Sequence, residues 1–480
     1  MLMFELIIEK VNWFFWSYVL IILLVCSGLY FTIRTKFVQF RMLPEMLRLI
    51  KKSNNNNKKG VSSLQAFCIS AASRVGIGNL AGVAIAITTG GPGAVFWMWV
   101  IALIGSASGF IEATLAQIYK VRDGETYRGG PAYYMDQALN KRWLGVCFAI
   151  LISITYGIAF NSVQANTLSN AIYSSFHIDR ATMGIIVAVG VAIVIFGSVK
   201  MIAKVSEVVV PIMAGAYILV AFMVVIMNIT KLPEVLGLIF QSAFGLKEAA
   251  SGALGAAIMN GIKRGLFSNE AGMGGAPNAA ATAEVSHPVE QGLLQALGVF
   301  LDTIIICSAT AFIILMSGLY NSPETDGILL TQQALSSSLG PWAGTFVTCL
   351  VFLFAFTSII GNYYYGQTNI EFINGKNSKV YLNIYRIVVV GVVIFGSTAS
   401  LELVWSLADV FMALMACLNL VVIWKLGKIA FAALEDYKLQ RKQGKDPVFR
   451  ASTIKGMGKK EPSHWQDVVE DEGTYEEIIS

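Results

Sequence analysis

Apolar residues come in runs of about twenty along this chain, and charged residues are confined to the short stretches between them. A run of that length matches a helix crossing a hydrocarbon core of roughly 30 Å, so the pattern predicts an all-α polytopic membrane protein. The first run covers 13–33 and starts at Trp13 and Trp16. Further runs fall near 62–90, 93–118, 143–175, 181–199, 205–228, 250–266, 290–318, 340–372, 380–397 and 402–425, giving about eleven transmembrane helices.

Charge placement then sets an expected orientation. Arg34, Lys36, Arg41, Arg48, Lys51, Lys52, Lys58 and Lys59 follow the first run, which predicts a cytoplasmic basic loop at 35–60 and an N-terminus outside. The opening MLMFELIIEK lacks a basic n-region and the run is too long for a signal-peptide core, so 1–34 reads as a retained extra N-terminal helix. Eleven crossings from outside put Lys120, Arg122, Arg128, Lys141, Arg142, Lys200, Lys204, Lys376 and Lys379 in the cytoplasm, and leave Lys10, Arg180, Lys231 and Lys247 outside. An even number of crossings would destroy that asymmetry. The NNNN tract at 54–57 reads as a polar loop, 229–249 as an extracellular loop, and 426–480 as a mixed-charge cytoplasmic tail with no predicted fold.

Composition narrows the function classes. The 480 residues are 55% hydrophobic and only 14% charged, with a mean hydropathy of +0.64, whereas soluble domains carry about 25% charged residues. A soluble enzyme is excluded on that ground, and the net charge of +5 is read through the membrane rather than as a nucleic-acid footprint. Cys26, Cys68, Cys147, Cys307, Cys349 and Cys417 lie inside apolar runs without CxxC spacing, which suggests packing rather than disulfides or a thiolate metal site. No GxxxxGK[ST] occurs, and His177, His287 and His464 fall in loops or the tail, so neither nucleotide hydrolysis by a P-loop nor an intramembrane hydrolase or haem carrier is indicated. No organic cofactor and no protein partner is implied; the partners expected are the lipid bilayer and a transported solute.

Two spans are poor helices. Residues 61–90 carry SRVGIGNLAG in mid-span, and residues 250–285 carry RGLFSNEAGMGGAPN, where Gly265, Gly272, Gly274, Gly275 and Pro277 crowd together. Both are expected to unwind at membrane depth. Each opens a block of five spans, 61–228 and 250–425; five is odd, so the second block enters with the opposite orientation, a five-plus-five inverted repeat. Paired Gly-interrupted helices in two inverted halves point to a transporter's binding site. An isolated pair such as Gly105 and Gly109 reads instead as close helix packing.

The segment GGPGAVFWMWVIALIG at 90–105 resembles the signature of the alanine or glycine:cation symporter family, and RGLFSNEAGMGGAP at 264–277 resembles another of its stretches. SRVGIGNLAGVA at 73–84 is similar to the first broken helix of that family and, more distantly, of sodium-coupled transporters with the leucine-transporter fold. The resemblance covers about 13–425. It implies sodium-coupled symport of a small neutral amino acid, alanine or glycine, by alternating access in a cell membrane.

An amino acid brings a carboxylate and an ammonium to a place where unpaired charge is costly, so oriented dipoles must meet both. Backbone N–H groups around Gly76, Gly78 and Asn79 are candidates for the carboxylate, and carbonyls freed in the second break for the ammonium. By the resemblance, Ile77, Gly78, Gln164, Phe267, Met273 and Ile360 fall at substrate positions; the alternative for Gln164 is an interhelical packing bond, and for Phe267 and Met273 a place in the core. The same resemblance pairs the Thr357 and Ser358 hydroxyls with the Ala72 and Val75 carbonyls as a sodium cage; Asn79 is a further candidate for a second sodium or for the substrate carboxylate. Sodium wants several oxygens, although such hydroxyls also bond back to their own helix. Asp302 and Glu112 are intramembrane acids, functional or structural acceptors, and Glu270 lies beside the second break. Asp302 would be the relay if a proton were the coupling ion. A channel is the remaining non-carrier alternative. Ile77 stands where the family commonly has Thr between the two glycines, which opens glutamine as an alternative substrate.

Overall fold

A computed structural model describes residues 2–53, 61–124, 126–197, 199–245, 251–321, 327–375, 378–451 and 465. The polar loop at 54–57, Lys58, Lys59, Lys247, Lys376 and most of the tail, including His464, lie outside them. The apolar runs become helices: α1 (Leu6–Arg34), a surface helix α2 (Leu43–Ser53), the bent pair α3 (Ser63–Arg74) and α4 (Gly78–Gly90), and α5 (Ala94–Ile118). A two-stranded hairpin, β1 (Val121–Asp123) with β2 (Thr126–Arg128), then leads through α6 (Pro131–Gln137) to α7 (Arg142–Phe176), α8 (Arg180–Ile195) and α9 (Val199–Met227). After α10 (Leu232–Ala243), the second block runs α11 (Ser251–Asn269), α12 (Ala276–Ala280), α13 (Pro288–Ser317), α14 (Ile328–Leu339), α15 (Pro341–Asn374), α16 (Ser378–Thr398) and α17 (Leu401–Lys442).

Eight of these helices are long and apolar enough to cross a membrane, and the bent pair makes a ninth. The other two expected crossings coincide with α8, which is shorter, and α11, whose last turns carry Asn260, Lys263 and Arg264. Length and hydropathy alone therefore yield fewer crossings than the sequence pattern does. The outward surfaces are apolar, with Ile185, Ile193, Ile212, Phe222, Val380 and Ile387 each more than half exposed. Polar side chains are gathered inside, as expected when lipid is the outer solvent and every polar group needs a protein partner.

Three helices loosen into π-helical turns around the centre: Gly78–Gly82, Thr155–Phe160 and Leu301–Cys307. Such turns widen the backbone ladder and commonly mark functional sites. The C-terminal end departs from the sequence expectation, because α17 continues through 426–442 rather than giving way to an unfolded tail. Leu426, Ile429, Ala430, Ala433, Leu434 and Tyr437 are buried along this extension, an apolar face at helical spacing. Beyond it the buried Phe449 donates its N–H to the Ser286 carbonyl at 3.0 Å, and Trp465 Nε1 donates to the Ile118 carbonyl at 3.2 Å.

Candidate functional site

Both interruptions form as the glycines require. Ser62 and Gln65 make a reciprocal capping box that fixes the start of α3. The helix ends at Val75, whose ψ of 88° leaves helical space, and α4 resumes at an angle of 49°. In the second break Glu270, Gly272 and Gly274 have φ of +57°, +84° and +87°, a left-handed path that side chains resist. A methyl on Gly274 would sit 2.7 Å from Phe148 and Pro131, so no side chain fits there.

Short hydrogen bonds join the two breaks. Asn79 Nδ2 donates to Asp302 Oδ1 at 2.6 Å and to Ser268 Oγ at 3.0 Å, while Ser268 Oγ donates to Asp302 Oδ2 at 2.7 Å. Thr303 Oγ1 donates to the same Asp302 oxygen at 3.0 Å, and Cys307 Sγ lies 3.3 Å from Asn79 Nδ2. Asp302 thus sits between the first break, through Asn79, and the second, through Ser268, on the π-helical turn that presents it. All five residues are buried. Sequence reasoning found Asn79 and Asp302 but not Ser268, Thr303 or Cys307; the serine lies in the Gly-rich stretch, yet nothing local marks its partner.

A second bridge runs alongside. Ser73 Oγ lies 2.7 Å from both Glu270 Oε1 and Asn362 Oδ1, and Asn362 Nδ2 donates to Asn161 Oδ1 at 3.0 Å. Glu112 accepts the Gly272 N–H at 3.1 Å and the Asn419 amide at 2.8 Å, and Asn419 also donates to the Gly272 carbonyl at 3.0 Å. Glu112 and Glu270 therefore both hold the second break in its left-handed path. Arg74 is buried among these acids, donating Nη1 to the Gln295 carbonyl at 3.2 Å, and its charge acts on Glu112, Glu270 and Asp302.

The backbone donors of the first break are engaged by side chains. Asn79 Oδ1 accepts the Gly76 N–H at 2.8 Å, and Gln164 Oε1 accepts the Ile77 N–H at 3.3 Å. Gln164 thus reaches across from α7 to the first break. Phe267 lies against Gly78, whose added methyl would meet its ring at 3.0 Å, and packs between Phe160 and Trp405, each ring centre 4.6 Å away and tilted by 48° and 47°. Above Trp405 sits the Arg264 guanidinium at 4.4 Å, held by Asp409 at 2.6 Å, with Lys263 3.2 Å from the same carboxylate oxygen. This column over Gly78 was not legible in the sequence. Ile77, Met273 and Ile360 are buried in the same core.

The hydroxyl doublet is split by the helix. Ser358 Oγ donates to the Ala72 carbonyl at 2.9 Å, across helices. Thr357 Oγ1 donates within its own helix, to the Leu353 and Phe354 carbonyls at 2.9 and 3.1 Å, with Met213 Sδ 3.7 Å away. Ser358 and Ala72 are brought together, while Thr357 turns along α15. A methyl on Gly76 would overlap the Ser358 hydroxyl, so the glycine lets this oxygen approach the broken backbone.

The description sodium:alanine symporter family matches residues 1–451. The chain belongs to that family. This symporter family consists of transporters, so the chain is a transporter and not an enzyme. Among its relatives are the amino-acid carrier protein AlsT of Bacillus subtilis, 55% identical over 95% of this chain and 96% of the relative, and the probable sodium/glutamine symporter GlnT of the same organism, 55% identical over 94% of each. The sodium/alanine symporter AgcS of Methanococcus maripaludis is 37% identical over 92% of this chain and 98% of its own length. A manganese transporter of Eremococcus coleocola shares the fold, with a TM-score of 0.52 at 13% identity over 80% of this chain and 88% of that one.

Proposed function

We propose that this symporter-family member carries sodium and a small neutral amino acid together into the cell by alternating access. It acts from a cell membrane, N-terminus outside and C-terminus cytoplasmic, with 61–228 and 250–425 as the inverted halves. What supports the reading above all is the meeting of two broken helices through Asn79, Ser268 and Asp302. Unwound backbone at membrane depth is tolerated only where protein or a polar cavity satisfies it, and there it serves ligands of both signs.

The substrate carboxylate takes the backbone donors of Gly76, Ile77 and Gly78, with Gln164 swinging off the Ile77 N–H as the ligand arrives. Phe267, Met273 and Ile360 enclose its side chain. One sodium ion lies between the Ala72 and Val75 carbonyls and the Ser358 and Thr357 hydroxyls. For that, Thr357 gives up its bonds within α15, a rotation that leaves its backbone carbonyl acceptors to their ordinary helical donors. Asn79 and Asp302 form a second polar position, for another cation or for coupling. Sodium entry down a tenfold gradient yields about 1.4 kcal/mol and a 100 mV potential adds about 2.3 per charge, so one ion sustains several-hundred-fold accumulation.

Glutamine is the second substrate reading, beside alanine and glycine. Two observations favour it: the Gln164 carboxamide beside Ile77, and 55% identity to a relative described as a probable glutamine symporter. Purified protein in proteoliposomes, given sodium, proton and potassium gradients one at a time with a panel of labelled neutral amino acids, tests both points. Uptake should follow sodium alone. Uptake indifferent to sodium, or driven by a proton gradient in its absence, ends the sodium reading; flux far above a carrier's and without coupling would indicate a channel.

A further inference from the structure

The N-terminal helix α1 and the last helix α17 run side by side on the lipid-facing surface. Trp424 Nε1 donates to Ser27 Oγ at 2.7 Å and its ring stacks on Tyr30 at 4.6 Å, while the Arg34 guanidinium lies 5.3 Å over the Phe431 ring. Both helices therefore advance seven residues between these contacts, about 10 Å at the α-helical rise. Between them opens a groove of about 750 Å³ lined by Tyr18, Ile22, Cys26, Val421, Trp424 and Lys425. The groove is open toward the lipid rather than enclosed, and its walls are apolar almost throughout.

One wall of this apolar groove is a lysine. Lys425 is exposed and, among the described residues, has no ion pair, at a depth level with Cys26 and Ser27 rather than with Arg34. A helical side chain leans toward its own N-terminus, which on α17 is away from the Arg34 end and deeper into the groove. An ammonium held there is costly unless an anion meets it. Lys428 follows one turn nearer the Arg34 end, and about 20 Å along α17 from Lys425 stands Lys438, with Lys36 and Arg41 near it. Lys36 and Arg41 repel Lys438, with Glu435 offsetting them in part, while Glu45 is taken up by Arg48 and Arg441.

We propose that this groove is a binding site for an anionic phospholipid, one acyl chain lying along Ile22 and Val421 and the phosphate drawn inward to Lys425, with Lys428 one turn nearer the Arg34 end. A zwitterionic lipid brings its own cation beside Lys425 and Lys428 and is disfavoured; a neutral diglyceride leaves Lys425 unmet. Clusters of Lys and Arg beside a membrane helix attract anionic headgroups in this way, each cation adding severalfold to affinity.

Native mass spectrometry of the full-length protein, released from micelles holding equal amounts of phosphatidylglycerol and phosphatidylcholine, tests the site. Wild type should keep phosphatidylglycerol in preference. Lys425→Gln should lower its retention about fivefold, Lys425→Arg should not, and the groove-filling Ile22→Trp should lower it with Lys425 intact. Equal retention of the two lipids, or retention unchanged in Lys425→Gln, overturns the proposal. So does efficient Cys26–Cys26 disulfide formation between two copies in a Cys147→Ser, Cys349→Ser background, which would give the groove to a second chain.

Discussion

Replacing Asp302 by Asn keeps the shape of the side chain and removes one negative charge from the junction of the two breaks. The carboxylate accepts from Asn79 at 2.6 Å, Ser268 at 2.7 Å and Thr303 at 3.0 Å. An amide oriented with its oxygen toward Asn79 still accepts there, and its NH₂ can donate to the hydroxyls, which rotate to serve as acceptors. The fold then loses only the difference between charged and neutral hydrogen bonds, about 1 to 3 kcal/mol in all. The effect on a cation is larger. A monovalent ion about 4 Å from a carboxylate gains about 4 kcal/mol at an effective dielectric constant of about 20. If desolvation cancels two thirds of that, about 1.4 kcal/mol remains, a tenfold change in affinity. Asp302→Asn should therefore insert and purify normally while the sodium concentration for half-maximal uptake rises at least about tenfold, or coupling is lost altogether. Sodium titration of initial uptake rates in proteoliposomes, with melting temperature as the control for folding, measures both. Unchanged sodium dependence in a well-folded Asp302→Asn protein would refute the argument and leave Asp302 as a structural acceptor.

The hydroxyl doublet should respond unequally: Ser358→Ala, which removes the oxygen facing Ala72, should raise the half-maximal sodium concentration more than Thr357→Ala does, and equal or reversed effects would move the cage. Ile77→Thr should change the ratio of alanine to glutamine uptake by at least about fivefold without abolishing sodium coupling, since small changes in pocket packing are worth about 1 to 3 kcal/mol; a constant ratio across a neutral amino-acid panel would mean that Ile77 faces away from the ligand. Gly274→Ala combines a φ of +87° with overlap onto Phe148 and Pro131, and should cost about 1 to 3 kcal/mol or more, seen as a lower melting temperature in detergent. An unaltered melting temperature would show that the second break relaxes freely.

What the sequence revealed and what it concealed divide along a physical line. Spans and breaks are local: twenty apolar residues force a helix in lipid, and GIGN or EAGMGG interrupts one wherever it occurs. So the broken helices, their centre at Gly76–Asn79 and Glu270–Gly274, and the intramembrane acids were legible. Partners were not. Nothing in GVFLDTIII says that Asp302 meets Asn79, a residue 223 positions away, or that the π-helical turn Leu301–Cys307 aims it there. Two like hydroxyls at 357 and 358 look equivalent in sequence, yet successive helix positions diverge by about 100°, so one faces α3 and the other its own turn. The continuation of α17 through 426–442 was missed for a different reason: when 426–480 is read as one block, the charged, Gly- and Pro-containing sequence beyond 440 hides the apolar stripe before it.

Given the proposed sites, the arrangement also accounts for coupling with few groups. Asn79 bonds Asp302 and Ser268 through its amide nitrogen and the Gly76 N–H through its amide oxygen. One side chain therefore ties the acid, the second break and the backbone that would receive a substrate carboxylate. Under the proposed reading, a cation that drew Asp302 or Ser268 toward itself would pull on Asn79, and a shift of Asn79 would free the Gly76 donor. Occupation of a cation position there and exposure of a substrate donor would then be one movement rather than two, which is the requirement for binding of each to favour the other. Glu112 and Glu270 make the complementary contribution. Glu112 fixes Gly272 within the second break and Glu270 ties that break to Ser73 of α3, so under the proposed reading a displacement at one break would be passed to the other rather than absorbed by a loose loop.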